Sequence, residues 1–90
     1  MSEVREVLIR CTVTGAGMFP TEVTVSIPTA DGDVSIFADR SLLSGENSLR
    51  ATRFSVEADK GLAVCLLPIE DVDSRWVRID VNNVKDLQVA

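Results

Sequence analysis

The sequence predicts an all-β protein, a small antiparallel barrel of five to seven short strands. Three observations carry this expectation. The chain holds 13 Val and 5 Ile against 8 Leu and 7 Ala; branching at Cβ suits a pleated sheet, whereas a helical protein of this size leans on Leu and Ala. Apolar residues recur at every second position in several segments, which is the period of a half-buried strand. All five glycines and all three prolines fall between those segments, giving turn signals about every ten residues.

Ninety residues are expected to form one domain spanning 1–90, because two halves would each be too short to bury a core. The first strand is expected over Val4–Thr14, with Val7, Ile9, Cys11 and Val13 facing inward. Gly15-Ala16-Gly17 reads as its turn, and Met18-Phe19-Pro20 as the crossing to a second strand, Glu22–Ile27, closed by Pro28. Asp31-Gly32 fits the central positions of a type I′ turn, so a hairpin should join this strand to a third, Asp33–Ala38. There Val34, Ile36 and Ala38 share one face and Ser35 and Phe37 the other.

Asp39–Leu43 reads as a short helical turn. The fourth strand, Ser48–Ala58, breaks parity: Leu49 and Ala51 are odd, while Phe54, Val56 and Ala58 are even. Both sets face inward only if one residue is inserted, so a β-bulge is expected near Thr52–Arg53. Asp59-Lys60-Gly61 is a hairpin loop with Gly61 in the left-handed position. The fifth strand, Leu62–Leu67, is apolar throughout, which points to burial on both faces or a central place in the sheet. An acidic loop over 69–74 leads to a sixth strand, Arg75–Val81, where Val77, Ile79 and Val81 alternate with Trp76, Arg78 and Asp80. A helical turn over 82–87 and a terminal strand around Leu87–Val89 complete the chain. The third and sixth strands are each followed by a polar corner and then an aliphatic residue. This layout resembles an SH3-like barrel, with an OB-like barrel or a sandwich as the alternative.

Chemistry is mostly excluded. With no His and only two Cys, the chain lacks the ligands of a structural zinc site and any Ser-His or Cys-His pair. Cys11 and Cys65 sit mid-strand, where apolar surroundings keep a thiol inert. The Asp31/Asp33 and Glu70/Asp71/Asp73 clusters match no calcium loop, and Gly15-Ala16-Gly17 lacks the rest of a phosphate-binding loop. The expectation is therefore no enzyme, no cofactor and no metal. No apolar run reaches the roughly 18–20 residues of a membrane helix. The early acids Glu3 and Glu6 do not suit a secretory leader, so the expected location is cytoplasmic.

What remains is a surface. Trp76 and Arg78 share the face opposite Val77 and Ile79, and Phe37 opposes Ile36 and Ala38. Exposed aromatics beside arginine are a hot-spot composition. Phe37, Trp76, Arg78, Arg50 and Arg53 are thus the candidate binding residues of a protein-interaction or self-association module. The alternative is single-stranded nucleic acid, stacked on Trp76 over an Arg-rich face, although a net charge of −5 disfavours it. A competing account keeps Trp76 in a barrel end and Phe37 under Leu42-Leu43. In it the strand arginines pair with Glu22, Glu57 or Asp80.

Overall fold

The computed structural model describes residues 4–69 and 76–87. It is all-β and antiparallel, with nine strands among those residues and two single-turn 3-10 segments. The strands are β1 (Arg5–Arg10), β2 (Thr12–Ala16), β3 (Glu22–Thr29), β4 (Gly32–Asp39), β5 (Leu43–Ser44), β6 (Ser48–Glu57), β7 (Leu62–Leu66), β8 (Trp76–Asp80) and β9 (Val84–Asp86). A 3-10 turn at Arg40–Leu42 precedes β5, and another at Val81–Asn83 joins β8 to β9.

The strands form two sheets. The larger runs in the order β8-β7-β6-β1-β9, with β5 pairing onto β6; the smaller runs β2-β3-β4. The ladders do not close into the expected barrel. The two sheets instead share one core. The larger sheet supplies Val7, Ile9, Leu49, Ala51, Ala63, Cys65 and Ile79; the smaller supplies Val23, Val25, Ile27, Ile36 and Ala38. Each set occupies alternate positions of its strands, so the pleat itself sorts these side chains to one side. One edge is fastened by the β3–β4 turn, where the Ala30 N–H donates to the Arg78 carbonyl of β8 at 2.8 Å.

The expected first strand is two. At Cys11 the chain leaves one sheet and enters the other, and the Cys11 N–H bonds the Asn47 carbonyl at 2.9 Å instead of a ladder partner. Beyond that break Val13 pairs with buried Val25 and so keeps the core-facing side, but it lies at the core's margin, 36% exposed. The register shifts after it, between Val13 and Gly15. β2 then runs through Gly15 and Ala16, which were expected to be a turn.

Pro28 does not end its strand either. It pairs with Asp33, and β3 continues to Thr29. β2 pairs with β3 no further than Ser26, so no ladder on that side asks for the N–H that Pro28 lacks.

The β3–β4 hairpin is present, but its turn is not type I′. Thr29 pairs with Gly32 across Ala30-Asp31, and Gly32 alone has positive φ, at 106°. Glycine therefore closes the turn, with Asp31 in ordinary backbone space. At Gly61, φ is 65°, the left-handed value its hairpin loop requires.

The β6 bulge exists one residue later than expected: Arg53 pairs with Cys65 and Ser55 with Val64, leaving Phe54 as the inserted residue. Phe54, Val56 and Ala58 are not core residues, contrary to expectation; Val56 is 45% exposed. The terminal strand is β9, starting at Val84 and pairing with β1. The expected Leu87–Val89 strand, like the acidic loop and Arg75, falls partly or wholly outside the described residues.

Candidate functional surface

The solvent side of the larger sheet is built by the same alternation that fills its core. Ala63 and Cys65 point inward and are buried, so Leu62, Val64 and Leu66 of β7 point outward, half-buried. On β8, Ile79 is buried and Val77 half-buried, so Trp76, Arg78 and Asp80 point outward. Trp76 is opposite Leu66, and Arg78 opposite Val64.

The bulge adds the piece that alternation alone does not supply. Phe54, carried on β6, meets Trp76 across β7 with ring centroids 4.4 Å apart and an interplanar angle of 62°. This is an edge-to-face pair, a geometry worth about 0.5–1.5 kcal/mol beyond area burial. Trp76 nevertheless remains 51% exposed. The aromatic pair thus stands at the Leu66 end of an aliphatic strip, with the Trp76 ring open to water and Phe54 half-buried beneath it.

Charges frame this strip in pairs. The Arg78 Nε–H donates to Glu57 at 2.7 Å, and Lys60 stands 3.8 Å from the same carboxylate. On the β1 side, Arg50 bonds Glu6 at 2.6 Å. All of these side chains except Glu57 are about half exposed or more, so each pair contributes only about 0–1 kcal/mol. Their effect is mainly to neutralise the frame.

The five candidate residues do not form one patch. Trp76, Arg78 and Arg50 share the outer side of the larger sheet. Phe37 is 47% exposed but lies on β4, on the outer side of the smaller sheet. The core stands between the two.

Arg53 faces inward, in register with buried Cys65. Its guanidinium is 3.5 Å from Asp86, which also accepts from Arg5 at 3.1 Å. With Val56, Ala63, Val81 and Val84, Arg53 lines an open hollow of 430 Å³, where the inward face of the larger sheet extends past its cover. Of the strand arginines expected to pair, Arg78 takes the expected Glu57, while Arg50 and Arg53 take Glu6 and Asp86. Among the described residues Arg10 has no ion pair, and neither Glu22 nor Asp80 pairs with a strand arginine.

Two features were missed in the sequence. Parity with a bulge near Thr52–Arg53 predicts Phe54 in the core; the insertion at Phe54 itself turns its ring to the outer side of the sheet. Met18 and Phe19 are exposed at the β2–β3 loop; an apolar pair bounded by Gly17 and Pro20 is the signal that marks them. Both thiols are free and buried. Burial pushes Cys11 up and Cys65 up to about 11, with nearby Arg53 opposing the second shift. The described residues contain no group of three or more potential metal ligands and no helix long and apolar enough to cross a membrane.

In comparison with known proteins, no family model, no curated protein and no solved structure matches the chain.

Proposed function

We propose that the chain is a non-catalytic docking module that binds a protein partner through the outer side of its larger sheet. One observation carries the reading: half-exposed Trp76, packed edge-to-face on half-buried Phe54, stands at the Leu66 end of the outward strip Leu62, Val64 and Leu66. A rigid aromatic anchor on an aliphatic floor with a polar rim has the anatomy of an interface centre. The absence of His from the chain supports a role without general acid–base or nucleophilic chemistry. The strand order β8-β7-β6-β1-β9, with its two edge strands joined by a three-residue turn, supports a rolled, SH3-like arrangement of that sheet. A cytoplasmic location fits the two free thiols.

Nucleic acid is the weaker reading, because Arg78 and Arg50 on this face already hold carboxylates. The test combines sedimentation across a concentration series with iodide quenching of Trp76, the sole tryptophan. A partner that is a second copy protects Trp76 as the copies associate. If the chain stays monomeric and a Trp76→Ser variant retains every protein that the native chain captures, the reading fails. Mobility shifts with oligonucleotides at low salt check the nucleic-acid alternative.

A further inference from the structure

A second feature of the molecule lies at the end of β1, away from the aromatic pair. There the chain switches sheets at Cys11, and the turn 45–47 and the 3-10 crossover Val81–Asn83 flank the gap. The hollow so formed has a volume of 440 Å³ and is lined by Arg10, Lys85, Asn47, Ser48, Asn82 and Asn83 among others. No Asp or Glu among the described residues lines it.

Its charge is unusual for this chain. The protein has 14 acids against 9 bases, and most described cations are matched: Arg5, Arg50, Arg53, Lys60 and Arg78 all take part in ion pairs. Arg10, Arg40 and Lys85 take part in none among the described residues, and two of these three, Arg10 and Lys85, stand in this hollow. Leu8, between Arg10 and Lys85 in the pleat, pairs with Lys85, and Arg10 pairs with Ser48. The ladder register itself therefore brings the two cations to one place.

We propose that this hollow binds a small phosphomonoester of a polyol, such as a sugar phosphate. A phosphomonoester carries about −1.5 to −2 charges at neutral pH. The Arg10 guanidinium suits two phosphoryl oxygens at once, and the Lys85 ammonium supplies a point charge to the third. The Asn amides and the Ser48 hydroxyl both donate and accept, as a ligand's hydroxyls require. The volume lies in the small-ligand range of roughly 300–1,000 Å³.

The surroundings select a compact anion over a polymer. Asp33 lines the adjoining hollow on one side with Arg10, and Glu46 lines another with Asn47. An extended polyanion runs into both carboxylates, whereas a sugar phosphate stays between them.

The test is a ¹⁵N–¹H NMR titration of the full chain with glucose 6-phosphate, with inorganic phosphate, and with glucose as the uncharged control. The expected result is saturable shifts of the Arg10, Ser48, Asn82 and Asn83 amides with glucose 6-phosphate, weaker shifts with phosphate and none with glucose. Arg10→Gln and Lys85→Gln should each weaken binding about tenfold, with the rest of the spectrum preserved because both side chains are exposed. Asp33→Asn should tighten it about twofold, by removing a neighbouring like charge. Absent or non-saturating shifts overturn the proposal, as does equal binding by the Arg10→Gln/Lys85→Gln double variant. Tighter binding of a phosphoserine peptide or a short oligothymidylate than of the sugar phosphate overturns the ligand class.

Discussion

At the scale of single residues, packing decides more than chemistry does. Gly17 shows it best. Its N–H bonds the Glu22 carbonyl at 3.0 Å, and a Cβ there would lie 2.5 Å from the Glu22 Cβ and 2.8 Å from its backbone carbon. Gly17→Ala should therefore cost about 1–3 kcal/mol. Gly15→Ala, with nothing within 4 Å, should stay within about 0.5 kcal/mol of the native protein; urea titration of both variants checks the contrast. Cys65 gives a pH signature. Its folded-state thiol is raised to about 11, above the ordinary value of about 8.5 for an unfolded chain. The unfolded state then loses its proton first as pH rises. The stabilisation is complete below about pH 8.5 and fades as pH climbs towards 11, by up to about 3 kcal/mol. Denaturation midpoints at neutral and alkaline pH should show the fall, and Cys65→Ala should lose that part of it.

The elements show where sequence patterning suffices and where it stops. Strands β3, β4 and β8 were legible because an uninterrupted period of two fixes which side chains enter the core; β7 was legible from its apolar run, which does not say which of its sides is buried. Where a residue is inserted, the pattern gives the existence of the irregularity but not its place. On β6 the bulge falls at Phe54 instead of at Thr52–Arg53, and that single step moves an aromatic ring from the core to the surface. Arg53 was misread for the related reason that it precedes the bulge and keeps the inward parity of Leu49 and Ala51. The break at Cys11 was illegible because both halves of the segment alternate in phase, while the switch of partner sheet depends on Asn47, far along the chain. The first polar corner was legible, at Arg40–Leu42; the second turns only over Val81–Asn83, and Val84–Asp86, expected within a helical turn over 82–87, are strand β9. Both corners share one device. Asp39 accepts from the Ser41 N–H at 2.9 Å and Asp80 from the Asn82 N–H at 2.8 Å, each starting a 3-10 turn. Asp80→Ala should cost about 1 kcal/mol and speed amide exchange at Asn82 and in β9. The Ser41 backbone and side chain hold the Asp39 carboxyl below its usual range, so its contribution is present above the unfolded carboxylate pKa and lost as pH falls through the folded one.

For the whole molecule, both sheets contribute to one core, so neither has an apolar side to keep if the other leaves. Thermal unfolding should be a single transition, with Trp76 fluorescence and far-ultraviolet circular dichroism giving coincident curves. Separate midpoints for the two probes would mean that the sheets melt independently. One backbone bond has a topological consequence. The Leu87 N–H reaches the Glu6 carbonyl at 3.3 Å, which brings the first and last described strands side by side. A short peptide bridge from Leu87 to Val4 would close the described strands into a ring, and new ends could be cut within Asp59-Lys60, where the hairpin is exposed. Such a circular permutant keeps every ladder while changing the order in which the strands are synthesised, and so separates what the fold needs from the sequence in which it is threaded.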